Sequence, residues 1–553
     1  MNKKLLFLFS AIFFCLHASS QNRYAVLLTD KNNSPFSISN PLAFLSQRAI
    51  DRRNTQGIAI TSHDFPVNPS YVNQIAATGA SVINTSRWLN AVTIETTSPA
   101  VLAAVNALPF VQQVYIVGRV SNPNRGKDKF AFETPYPMAV ATKNSSPVLS
   151  FNYGPSQNQI AMLGGDVLHN QGKTGQGMMI AVIDAGFFNA DNMIVFDSLR
   201  NDNRLLGTWD FVDNNPQVYD DHAHGTFVTS IMAGNWPGNI VGTAPHASYW
   251  LLRSEYAPTE TLMEEFYWAS AAEFADSVGA DIINSSLGYY EFDDPVQNHT
   301  YSDMNGITTP VSRAAAAAAA KGIIVCNSAG NEGASNWNYI IAPADADSII
   351  SVGAVDDQMN YAWFSSNGPT SDGRVKPTVA AQGQGTFVAD LSNNGVFAGN
   401  GTSFSSPVMA GMMACLWQCN PNATNLQVIE ALKQSASQFS NPDTNLGYGI
   451  PNMPVACQIL ASLSIPENEL KDRLLIGQNP FHSLLDFIFF PASSKSIQVL
   501  LTDISGKIVY SNNFQVIPQL SRNFSIQPDI SSGIYLLSIV TENGAVNRKV
   551  VKL

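Results

Sequence analysis

Ser403 stands in GTSFSSPVMAGMMACLWQC (residues 401–419), directly after a glycine and at the start of a small, apolar run suited to a buried helix. A serine at a helix N-terminus lies near unpaired N–H groups and a positive partial charge, both useful where negative charge develops on a substrate oxygen. An ordinary N-cap serine has the same local pattern, so Ser403 gains weight only from partners. In MMIAVIDAGF (178–187) a continuous apolar run ends in Asp184 and a glycine turn. That is the pattern of a strand buried on both faces of a parallel sheet, and ligands gather at the carboxyl ends of such strands. In DDHAHGTFVTSIMAG (220–234) His224 precedes a Gly-Thr turn and a small-residue helical run, so an imidazole opens a helix. A carboxylate, an imidazole and a hydroxyl at three element ends can form a nucleophilic triad of orienting acid, base and nucleophile.

AVIDAGF, HGTFV and GTSFSSPVMAG, in that order, resemble the signatures of subtilisin-like serine peptidases, the subtilases. GIIVCNSAGNEG (322–333), another buried strand ending in a glycine turn, is similar to the subtilase segment whose asparagine completes the oxyanion hole, which falls on Asn331. The resemblance implies that Ser403 attacks a peptide carbonyl, His224 takes its proton, Asp184 orients the imidazole, and Asn331 donates to the oxyanion. His224 is favoured over His222 because only it begins the HGT turn. SSLGYY (285–290) resembles the strand that pairs with an extended peptide, so Ser286, Leu287 and Gly288 are expected along the cleft, with Ser328, Ala329 and Gly330 on the opposite wall. Three departures stand out: Tyr289 where small residues are usual, a glycine-free LLRSEYAPTE (251–260), and Phe227 where the family's motif carries a histidine. The resemblance implies no cofactor for the chemistry and no metal in the site, and it leaves room for structural calcium. EFDDPVQNHTYSDMNG (291–306) is acid-rich but lacks ligand spacing, and reads as a solvated surface loop.

The elements needed to position these residues are legible around them. MMIAVID, ASYWLLRS, ADIINSSLG, GIIVCNSAG and SIISVGAV alternate with the helical stretches TLMEEFYWASAAEFADSVG and PVSRAAAAAAAKG. Over residues 151–463 this predicts an α/β fold, a mostly parallel sheet flanked by helices. Residues 21–120 carry the strand patterns RYAVLLTD, RWLNAVTIET and VQQVYIV and the helical patterns PLAFLSQRAIDRR, SYVNQIAATG and PAVLAAVNAL, a small α+β unit. Its position is that of a subtilase propeptide, which implies that the chain carries its own intramolecular inhibitor; a permanent N-terminal domain is the alternative. Residues 121–150 read as an exposed linker and processing region, and 464–472 as a second linker. Residues 473–553 divide into short strands separated by turn residues, a small all-β sandwich. GQNPF and GIYLLSIVTENGAVNRKVVKL resemble the C-terminal sorting domain that Bacteroidota use for type IX secretion, implying that machinery as a partner; a β-sandwich binding module is the alternative.

A chain of 553 residues with 45% hydrophobic content can bury several cores. Its net charge of -12 excludes the basic face that nucleic-acid binding requires. Residues 1–20, with Lys3 and Lys4, an apolar core and Ala18-Ser19-Ser20, read as a secretory signal peptide. The apolar run falls short of the roughly 20 residues that span a bilayer, so the mature chain is expected to lack a transmembrane segment and to be extracellular or held at the outer-membrane surface. Beyond Cys15, four cysteines remain: Cys326, Cys415, Cys419 and Cys457. Inert core thiols and a Cys419–Cys457 bridge both stay open. The sequence thus points to a secreted subtilisin-like serine endopeptidase acting on proteins or peptides. One other reading is a catalytically silent cell-surface binding protein on the same scaffold. A sedolisin-type peptidase, which uses Glu in place of His, is opposed by HGTFV.

Overall fold

The computed structural model describes residues 22–119, 129–133, 135–136, 151–463 and 473–553 apart from 519 and 543. The signal-peptide expectation, most of the 121–150 linker and the 464–472 linker lie outside these residues.

A seven-stranded sheet forms the centre of the molecule, in the order Val379–Gln382, Ile350–Val355, Ile324–Ser328, Ile282–Ser285, Met179–Asp184, Ser248–Arg253, Leu205–Asp210. All neighbours run parallel. The inner strands are apolar and buried on both faces, as parallel strands covered by helices must be. Ser285 pairs in register with both Ile183 and Asn327, so the strands bearing Asp184 and Ser328 end level with each other at one rim. The chain leaves Met179–Asp184 for one side of the sheet and later crosses to the other through Ile282–Ser285, a topological switch where a cleft opens. The edge strand Leu205–Asp210 lacked a clear signal because it is only half-buried.

The helix Thr402–Trp417 is buried along its whole length, packed among the sheet's central strands and the helix His224–Ala233. Small residues permit that approach: a Cβ on Gly411 would lie 2.0 Å from Thr243 Oγ1. Cys419, just beyond this helix, is disulfide-bonded to Cys457 in the helix Met453–Ser462, while Cys326 and Cys415 are buried free thiols.

Residues 22–119 form a four-stranded antiparallel sheet with helices Gln47–Gln56, Pro69–Ala77 and Pro99–Asn106. The sheet includes Ser81–Ser86, a polar, half-exposed edge strand that apolar patterning does not reveal. PLAFLSQRAIDRR is not one helix: Ser46 caps Gln47–Gln56 by accepting from Ala49 N, and a short 3-10 turn precedes it. At the other end of the chain, three-stranded and four-stranded antiparallel sheets enclose a separate core around Phe481, Phe487, Leu501 and Leu537. Among the described residues no helix is long and apolar enough to cross a membrane.

Candidate active site

Asp184 ends its strand fully buried, and His224 opens its helix 1% exposed. They meet because Gly225 lets the helix start press on the strand end: a Cβ there would lie 2.4 Å from Gly186 O and 2.9 Å from Asp184 Cβ. His224 Nδ1 lies 2.7 Å from Asp184 Oδ1, which also accepts from Ala185 N at 2.8 Å.

Ser403 is the second residue of its helix and not its cap. Gly401 occupies the cap position, and no side chain caps there. The Ser403 hydroxyl is free to face the cleft. Pro407 has no N–H to offer the Ser403 carbonyl one turn earlier, and Ser286 Oγ donates to that carbonyl instead at 2.8 Å. Asn331 is oriented by Thr402, whose N–H and hydroxyl donate to its Oδ1 at 2.9 and 3.0 Å, which turns its amide nitrogen into the cleft. Gly330 reaches this turn with φ +109, a conformation disfavoured for residues with a Cβ.

One residue that the sequence did not single out occupies the centre. Glu133 Oε2 lies 2.6 Å from His224 Nε2, and its Oε1 accepts from Ser403 Oγ at 2.8 Å and from Asn331 Nδ2. Burial alone lowers the basicity of His224, but Asp184 and Glu133, one against each ring nitrogen, raise its pKa to about 10. Glu133 belongs to a strap across the cleft. Lys129 bonds Glu255, Glu260 and Glu264; Phe130 stacks on His224 with ring centroids 4.3 Å apart; Phe132 packs edge-on to Phe364; and Tyr136 exchanges backbone hydrogen bonds with Ala398. FAFE lies in a polar stretch without periodicity, and nothing local marks it.

The cleft has a volume of about 840 Å³ and is lined by Ser286, Leu287, Gly288, Ser328, Gly330, Asn331 and Ser403 together with the strap. Ala329 is fully buried, away from the lining, in a cluster with Ile340 and Ala344. His222 Nδ1 accepts from His224 N at 3.2 Å, a supporting position beside the imidazole. Tyr289 is buried, with its hydroxyl donating to Glu255. In the 291–306 loop, Asp294 and Asp303 accept nearby backbone N–H groups, the chemistry of turns and caps, and Asp293 accepts from the N–H of Glu260 in a separate loop at 3.4 Å.

Comparison with known proteins places the three parts of the chain in known families. The Subtilase family model matches residues 175–449, the Bacteroidota Peptidase S8 propeptide domain matches 23–131, and the secretion system C-terminal sorting domain matches 479–553. The chain is 29% identical over 311 residues to serine protease AprX of Bacillus subtilis (strain 168), covering 51% of this chain and 66% of AprX. It is 31% identical over 303 residues to subtilisin amylosacchariticus of Bacillus subtilis subsp. amylosacchariticus, covering 54% and 70% of the two chains. Over 292 residues it is 31% identical to subtilisin BL of Lederbergia lenta, covering 52% and 93%. The protein is a serine-type endopeptidase with a propeptide, and its sorting domain directs it out of the cell, to the medium or the outer-membrane surface. With its α/β sheet, its propeptide and these relatives, the chain belongs to the subtilase family.

Proposed function

We propose that Asp184, His224 and Ser403 form the catalytic triad of this secreted peptidase, that Asn331 completes its oxyanion hole, and that peptide bonds are cut through an acyl-enzyme. The observation that carries this reading is convergence: His224 Nε2, Ser403 Oγ and Asn331 Nδ2, from three distant segments, all bind the single carboxylate of Glu133. A carboxylate held by nucleophile, base and amide donor stands where a substrate carbonyl would sit. With the strap withdrawn, neutral His224 takes the proton of Ser403 Oγ as that oxygen attacks the carbonyl carbon. Asp184 fixes the Nδ1–H tautomer and stabilises the imidazolium. Asn331 Nδ2 and the Ser403 N–H donate to the oxyanion. The imidazolium then protonates the leaving amine, and a water molecule activated by His224 releases the acid. Residues 21–120 and the strap keep the site latent: Glu133 both covers Ser403 and holds His224 in its protonated form.

The test is hydrolysis of unfolded casein by the processed enzyme, its Ser403→Ala variant and its Asn331→Ala variant, each also exposed to a serine-reactive fluorophosphonate. Processed wild type is expected to cleave and label, and Ser403→Ala to do neither. Asn331→Ala should keep labelling but lose roughly 100- to 1000-fold in turnover. A processed wild type that neither cleaves nor labels would overturn the reading.

A further inference from the structure

We propose that Glu255, Glu260 and Glu264 form a subsite for a lysine or arginine side chain of the protein substrate, so that cleavage is directed by a basic residue at one fixed position before the scissile bond. This deepens the peptidase reading above and rests on it. Glu255 lies just beyond the strand Ser248–Arg253, Glu260 in the following loop, and Glu264 in the first turn of the helix Met263–Val278. One carboxylate oxygen from each lies within 4.8 Å of the others. Glu255 and Glu260 line the same cleft as Ser403 and Asn331.

Three carboxylates this close repel one another and lose hydration, so they need a cation. Their other partners do not supply one. Tyr289 donates a hydroxyl to Glu255, the Tyr256 and Thr261 N–H groups donate to Glu264, and one buried oxygen of Glu260 has no hydrogen-bond partner. The neighbouring Arg253 points its guanidinium at Asp210, Asp213 and Asp221. Among the described residues, Lys129 provides the one ammonium or guanidinium bonded to any of the three carboxylates, and it reaches all of them. Burial pushes Glu260 up to about 7 and holds Glu264 well above the ordinary carboxylate range, even though Lys129 draws both down.

Lys129 is part of the strap and must leave with it before any substrate reaches Ser403. What remains is a niche shaped to the length and charge of a basic side chain, beside an extended-peptide cleft. Tyr289 accounts for part of that shape, since its buried ring and hydroxyl fix Glu255 where a small residue would leave the carboxylate unsupported. The strap runs from Lys129, past His224 under Phe130 and Ser403 under Glu133. A substrate threading in the same direction presents its basic residue upstream of the bond that is cut.

The test uses the processed enzyme, a peptide library that reports cleavage positions, and quenched-fluorescent peptides differing only by Lys, Arg or norleucine at the position the library selects. The expected result is enrichment of Lys and Arg at one upstream position and a kcat/KM about 10- to 100-fold higher for the basic peptides than for the norleucine peptide. In Glu260→Gln that ratio should fall toward one, chiefly through KM. Glu260 is chosen because its side chain is 20% exposed and the change conserves shape; retained fluorophosphonate labelling shows that the variant is folded. Brisk hydrolysis with no basic preference in the wild type overturns the subsite while leaving the peptidase standing. A preference that persists undiminished in both Glu260→Gln and Glu255→Gln also overturns it. Loss of activity on chelation, restored by calcium in wild type but not in Glu260→Gln and without a basic preference, would make the cluster a metal site instead. No hydrolysis of any peptide, with no labelling, would strike the peptidase reading itself.

Discussion

In the proposed mechanism latency turns on Glu133, which binds His224 and Ser403 together. Between Asp184 and Glu133 the His224 imidazolium is stabilised, with its pKa raised from an ordinary 6.5 to about 10. The sign follows from linkage: a group bound more tightly when protonated contributes its full stabilisation below pH 6.5 and loses it as pH rises through 10. The strap should therefore hold firmly at neutral pH and loosen in alkali. Fluorophosphonate labelling of unprocessed chain is expected to be slow at pH 7 and to rise toward pH 10. Glu133→Gln removes one of the two anions, so the same rise should begin at lower pH and His224 should titrate lower by NMR. Superimposable profiles for wild type and variant would refute a clamp at Glu133.

At the scale of the element, the helix Thr402–Trp417 depends on a hydrogen bond from outside it. Pro407 leaves the Ser403 carbonyl without its intrahelical donor, and Ser286 Oγ replaces that donor from the cleft wall. Ser286→Ala would strand a buried carbonyl, at a cost of about 1–3 kcal/mol. The loss should appear as a lower urea midpoint, accompanied by reduced turnover because the same contact fixes Ser403. Adding Pro407→Ala restores an N–H at the right place, so the double variant should recover part of the stability lost in Ser286→Ala. Strict additivity of the two changes would show that the contacts are independent. Ser286 thus lines the cleft, while its side chain serves the backbone of Ser403.

For the molecule as a whole, the propeptide unit is joined to the peptidase through buried charge. Asp276, on the helix Met263–Val278, accepts from Arg52 at 2.5 Å, Arg53 at 2.8 Å and Arg87 at 2.7 Å, all from residues 22–119. Asp64 binds Arg53 at 3.1 Å and Lys321 at 2.9 Å, and Glu273 accepts from Ser86 Oγ and the Trp88 N–H. Removing one member strands the others in a buried site, so Asp276→Ala should destabilise the precursor by roughly 3–5 kcal/mol. The processed enzyme has shed all three arginines and should change far less. Urea unfolding of both forms checks this, and equal losses in the two would mean that Asp276 supports the peptidase alone.

The sequence by itself singled out Asp184, His224, Ser403 and Asn331 because each sits in a short motif where a turn and an apolar run are encoded by adjacent residues. The same locality made the buried parallel strands readable, while half-exposed edges such as Ser81–Ser86 and Leu205–Asp210 gave no periodic signal. Only the tertiary structure decided that Ala329 packs away from the cleft, that Cys419 joins Cys457, and that Glu133 and Lys129 fill the site. Glu133 is 91 residues from His224, 198 from Asn331 and 270 from Ser403. Contacts over such separations are set by how the sheet, the propeptide and the strap stack together, and local spacing does not carry that information.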